Sequence, residues 1–153
     1  MQTSLLNFEN FFEQKDIFVP AVSKWPVGMH IHHACLVTKN ISQALLQSDK
    51  SPPAGEYSLK KVLVFTFGYL PRGKGQSPQA ALPRDKIALE ELRQILREAE
   101  ELHLKANKAN AKSWFKHQYF GVLKKSQALR FIDIHNNHHT KIIEDILSES
   151  SQR

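Results

Sequence analysis

A single cysteine, Cys35, is all that this 153-residue chain carries. No intrachain disulfide can form, and a reducing interior is the expected setting. Long apolar runs are missing too. The best candidate, Val62 to Phe67, falls far short of the roughly 20 residues a membrane span needs, and Lys60, Lys61 and Arg72 flank it. Met1-Gln2-Thr3-Ser4 has neither the basic start nor the long apolar stretch of a signal peptide, so a cytoplasmic location is expected. There is no G-x-S-x-G, no H-E-x-x-H and no Cys-x-x-Cys, which removes the best-marked hydrolase, metalloprotease and dithiol chemistries. Pro71-Arg72-Gly73-Lys74-Gly75 lacks the spacing of a phosphate loop and reads as a flexible basic loop able to attract an anionic substrate.

What remains is an ordinary balance of residues, with 41% hydrophobic and 24% charged, enough for one domain with a real core over residues 1–153. The formal charge of +6 can attract nucleic acid or an anionic small molecule. The lysines and arginines are scattered, however, and Lys105, Lys108 and Lys112 near Trp114 read as a solvated helix end. A nucleic-acid partner therefore ranks last.

Hydrophobic spacing predicts helices. Residues 4–14 form a short one, with Leu5, Phe8 and Phe12 on one face and Thr3 or Ser4 as cap. A long helix opens at Trp25-Pro26, with Ser23 as its cap, and runs to about Gln47. Ser51-Pro52-Pro53-Ala54-Gly55 breaks it. Leu59 to Leu70 has strand-like composition but no visible partner strand, so a short helix is expected. A third long helix runs from about Arg84 to Lys108, with Ala88, Leu92, Ile95, Leu96, Ala99, Leu102 and Ala106 inward. Residues 109–124 form an aromatic-rich connection, and Ser126 opens a last helix to about Leu147. The expected class is all-α, a helix bundle.

Histidine is what the chain has in excess of need. One cluster is His30-Ile31-His32-His33, the other His135-Asn136-Asn137-His138-His139. On the last helix, His135 and His139 stand one turn apart on the apolar stripe of Ala128, Ile132, Ile142, Ile143 and Ile146. A buried, unpaired imidazole costs about 1–3 kcal/mol. Such a pair needs partners, and a shared metal ion completed by a third imidazole supplies them. On the earlier helix, His30 and His33 lie on the Val37 side, and His32 points away toward solvent. Periodicity does not rank His30 against His33. His138 flanks the stripe as a pocket or rim residue. His103 reads as a core histidine, and His117 as a cap or pocket wall. Cys35, with no basic neighbour, reads as inert packing.

Two segments carry a family likeness. Trp25-Pro26-Val27 through His33 resembles the W-S-V-x-x-x-x-x-H segment of DinB/YfiT-like metalloproteins. His117-Gln118-Tyr119-Phe120-Gly121, followed by Phe131 and His135 to His139, resembles the H-P-Y-F-G … H-x-x-H-H stretch of one DinB-like subfamily. The likeness implies a four-helix bundle with one long crossover connection, often a homodimer. Its metal triad is His33, His135 and His139, which leaves His30 to line the pocket or support a ligand ring, alongside the pocket candidates His138 and His117. It also implies a divalent ion, Zn²⁺ first and Ni²⁺ or Fe²⁺ next, and a low-molecular-weight thiol cofactor. The matching activity is a metal-dependent transferase or isomerase in which a metal-bound thiolate attacks an electrophilic small molecule, or a hydrolase that activates water. The alternative is a non-catalytic, metal-stabilised dimeric bundle or binding module. Pro26, Ala128 and Ile142 depart from the subfamily's usual Ser, Trp and Gln, and the last two alter the pocket.

Overall fold

The computed structural model describes residues 4–48, 51–55, 58–73 and 76–152; Thr3, the Ser4 side chain and Lys74 lie outside what it describes. The chain begins with a 3₁₀ helix, Ser4–Gln14, followed by α1 (Val27–Gln47), α2 (Leu59–Phe67), a 3₁₀ turn (Gln79–Ala81) and α3 (Leu89–Asn107). A hairpin of β1 (Trp114–His117) and β2 (Gly121–Lys124) then leads into α4 (Lys125–Ser150). The molecule is mostly helical.

In the N-terminal segment the helix expected at 4–14 is present but wound as 3₁₀, in which i and i+3 eclipse. Leu5, Phe8 and Phe11 thus share one column, and Leu5 and Phe8 are fully buried. This segment packs against α1, α3 and α4. Its end also caps α1. Gly28 N–H donates to the Lys15 carbonyl (2.7 Å) and Val27 N–H to the Ile17 carbonyl (3.1 Å). The first orphan donors of α1 are therefore answered by backbone, and Ser23 is released from the capping role expected of it. A Cβ at residue 28 would stand 3.1 Å from the Lys15 carbonyl oxygen, so the approach favours glycine.

Pairs between helices give their directions. His32 faces Glu91 and Lys39 pairs with Glu98, so α1 and α3 run the same way. Residues 48–88 are thus a crossover connection that carries α2 and the 3₁₀ turn. His30 meets His139 and the Asn136 amide donates to Thr38 Oγ1 (3.3 Å), so α4 runs antiparallel to α1. Two apolar clusters result. The first joins the N-terminal segment to α3, the start of α1 and the end of α4, through Phe8, Ile31, Leu96 and Ile143. The second joins the end of α1 to α2, the hairpin and the start of α4, through Ile41, Val64, Leu123 and Phe131.

Three expectations are corrected. The fold is not all-α. Residues 109–124 contain the antiparallel hairpin, closed by a three-residue loop and Gly121 at φ 64°, the left-handed conformation that glycine tolerates. α3 starts at Leu89 rather than Arg84. Lys86 adopts φ 52°, the chain turns there to bury Ile87, and Ala88 is left extended and exposed. His32 is buried, not solvent-facing, because α3 covers that side of α1 and brings Glu91 to it. The short helix expected near 59–70 is present as α2, ended by Gly68 in the left-handed conformation. Among the described residues, no helix is long and apolar enough to cross a membrane.

Phe8 truncation tests whether the 3₁₀ segment is part of the core. Phe8→Ala should cost about 3–5 kcal/mol by denaturant unfolding, as for other buried aromatics. Leu104→Ala, at an exposed position on α3, should change stability by about 0.5 kcal/mol or less.

Candidate metal centre

Four imidazoles meet where α1 crosses α4, in a layer between the two apolar clusters. His30 and His33 come from one face of α1, and His135 and His139 from one turn of α4; all four are buried. Ring centroids lie 5.0 Å apart for His33–His135, 4.8 Å for His33–His139 and 4.6 Å for His135–His139. One ring nitrogen from each of His33, His135 and His139 lies within 4.8 Å of the other two. This triad could hold a metal ion.

Hydrogen bonds around the rings set their tautomers. His33 Nδ1 contacts the Ala81 carbonyl oxygen at 2.5 Å. A carbonyl only accepts, so Nδ1 carries the proton and Nε2 keeps its lone pair. His139 Nδ1 meets His30 Nδ1 at 2.9 Å, and His30 Nε2 meets Ser23 Oγ at 2.8 Å. If His139 Nδ1–H donates to His30 and His30 Nε2–H donates to Ser23, His139 Nε2 is bare as well. His33 Nε2 then faces His135 Nε2 across 3.2 Å. Two nitrogens on a tetrahedral zinc with 2.0–2.1 Å bonds stand about 3.4 Å apart. The residues fit a divalent ion.

Electrostatics agree. Burial lowers the pKa of every ring in the layer. For His30 it acts with the neighbouring charge of His33 to bring the value from 6.5 to about 3. His135 and His139 are held well below 6.5 by burial and then by a neighbouring imidazole, His33 for His135 and His135 for His139. His33 is lowered by burial, partly offset by its Ala81 contact. All three are neutral at physiological pH, the form that binds metal.

The layer forms part of the wall of a cavity of about 1420 Å³. His117 and His138 line it too, each brought by burial to about 4. His117 stacks on Phe120, with 4.4 Å between centroids. Thus the expected pocket residues His30, His138 and His117 all reach this cavity. His103 does not; it is a buried residue of α3. Cys35 is fully buried, which pushes its thiol pKa up, and it takes no part.

Sequence reasoning missed several contributors. Trp25 was read only as a helix start, yet its ring lies 5.4 Å from His30 and 5.2 Å from His33 and walls the layer. Ser23 holds His30 rather than capping α1. Ala81 supplies a carbonyl from a loop remote in sequence, which no local pattern could reveal. Asn136, next to His135, is fully buried and its amide donates to Thr38 Oγ1, a contact that local spacing does not reveal. No protein-family model, curated protein or solved structure matches the chain. The DinB-like likeness rests on the two sequence segments alone.

The lowered values make stability depend on pH. The unfolded chain binds protons near pH 6.5, whereas His30, His117 and His138 bind them only near 3–4 when folded. Stability is therefore full above about pH 6.5 and is lost as pH falls toward 4. In metal-free protein, Tm should fall steadily from pH 7 to pH 4.5; a flat profile would contradict buried neutral rings.

Proposed function

We propose that this protein binds one divalent metal ion per chain through His33, His135 and His139, and that the cavity beside it receives a small-molecule substrate. The supporting observation is the 3.2 Å approach of His33 Nε2 to His135 Nε2, with His139 one turn along α4 from His135. Zn²⁺ suits three neutral imidazoles best, with Ni²⁺ or Fe²⁺ as alternatives. When bound, such an ion supplies Lewis acidity at a coordination position left open by three protein ligands, which favours deprotonated water or thiol there. The chain's own residues do the rest. Ala81 and His30 fix the rings of His33 and His139, Ser23 fixes His30, and Trp25 and Phe131 pack against the rings of the layer. In this reading the protein is a DinB-like metal-dependent enzyme, a thiol transferase, isomerase or hydrolase. The N-terminal 3₁₀ helix would stand as the fourth member of a four-helix bundle around the crossover.

A second reading has one observation in its favour. The triad sits at the junction of the two apolar clusters, where an ion would staple α1 to α4 and add directly to stability. Both readings need the ion, and they part on turnover of a thiol or an electrophile.

Elemental analysis of untagged protein should find about one divalent ion per chain, lost in His33→Ala, His135→Ala and His139→Ala. Cys35→Ala should retain it. Ser23→Ala and His30→Ala should weaken affinity by about 10–100-fold, since they only orient a ligand ring. Wild-type protein that takes up no Zn²⁺, Ni²⁺ or Fe²⁺ after incubation would sink the proposal.

A further inference from the structure

Beyond the histidine layer the cavity has largely apolar walls, and the charged side chains described at its rim are all basic. Trp25, Val37, Ile41, Leu63, Phe67 and Phe131 are among its apolar walls. Lys24, Lys60, Arg72 and Lys116 also line it, all exposed and therefore at the opening. Among the described residues, no aspartate or glutamate lines it. Arg72 is paired with Asp145 on α4. Lys24, Lys60 and Lys116 have no carboxylate at ion-pair distance among the described residues. Several wall side chains are themselves short of cover: Leu63 is 48% exposed, Tyr69 56% and Phe67 74%. Large apolar side chains left open around a concavity mark a surface that an apolar molecule would cover. At about 1420 Å³ the cavity exceeds the roughly 300–1,000 Å³ of common ligand pockets, so a compact polar metabolite would leave most of it wet.

We propose that the occupant is an amphipathic organic anion. Its extended alkyl or aromatic body lies on the apolar walls, and its oxyanion head sits at Lys60 and Lys116 on the rim. Like-signed charges with no ion-pair partner among the described residues attract and orient an anionic head, and the lack of carboxylates among the described lining residues removes the penalty that would discourage it. With the head at the rim, the body runs inward toward the histidine layer. The inference deepens the metal reading and rests on it only in treating the layer as the reactive end; binding of the anion itself does not require the ion.

The test uses full-length protein in two forms, chelated and zinc-loaded, titrated with 11-(dansylamino)undecanoate and with its uncharged methyl ester. Dansyl emission reports entry into an apolar site, and zinc content is measured on the same samples. The expected result is saturable binding of the acid in both forms and binding of the ester at least tenfold weaker. Lys60→Glu/Lys116→Glu should weaken the acid at least tenfold and spare the ester. Both positions are exposed, with no ion-pair partner among the described residues, so the double variant should fold, which circular dichroism checks. Equal affinity for acid and ester, indifference of the acid to the charge reversal, or no binding of either would overturn the proposal. Zinc retained without acid binding would overturn this inference and leave the metal centre standing. Acid binding without zinc uptake would support it and remove the metal centre.

Discussion

An imidazole taken out of water has two nitrogens to satisfy, and four such rings lie together where α1 crosses α4. Leaving their polar atoms unanswered would cost about 1–3 kcal/mol for each, a large share of the 5–15 kcal/mol by which domains are stable. Much of the surrounding structure can be understood as the answer. Ser23 and the Ala81 carbonyl each take one nitrogen, His30 and His139 satisfy one another, and Trp25 closes the layer from outside. What is left facing inward is a set of neutral nitrogens with few donors to meet them. Neutral nitrogens so placed on His33, His135 and His139 could hold a metal ion.

The topology serves this arrangement. Parallel α1 and α3 force a long crossover, and the crossover is what carries Ala81 to His33 and α2 over the cavity. α2 is held by Val64 in the second apolar cluster, by Lys61 reaching the Val122 carbonyl at 2.7 Å and by Arg130 on the Phe65 carbonyl. The hairpin contributes His117 and Phe120 to the same wall, turns at Gly121 into β2, and β2 leads directly into α4. The elements around the histidines therefore come from distant parts of the chain, and Thr38–Asn136 ties α1 to α4 beside them.

The net positive charge also finds its place. Read along the chain, the cations look evenly spread, and a diffuse basic surface says little about partners. In space, Lys24, Lys60 and Lys116 stand at one opening with no carboxylate at ion-pair distance among the described residues, while Arg72 there is paired with Asp145, and Lys39, Arg84, Arg93 and Arg97 are neutralised by glutamates of α3. Selective pairing thus turns a scattered charge into a local field at the cavity.

The sequence by itself determined what depends on short-range spacing. The apolar stripe of α4 placed His135 and His139 one turn apart on its inner face, because 3.6-residue periodicity is local. The same logic gave α1 and the bulk of α3, whereas α2, strand-like in composition, was expected only because no partner strand was visible. Spacing could not choose between His30 and His33, because both lie on the buried face, and in space they divide the work: His33 faces His135, and His30 buttresses His139. It misjudged His32, whose burial depends on α3 arriving from the far side of the crossover. It missed the hairpin, because four-residue strands carry too little pattern to stand out, and only pairing makes them strands. The ring tautomers, the Ala81 contact, the cavity and its basic rim were decided by tertiary structure alone, since each joins residues tens of positions apart whose proximity no local propensity encodes.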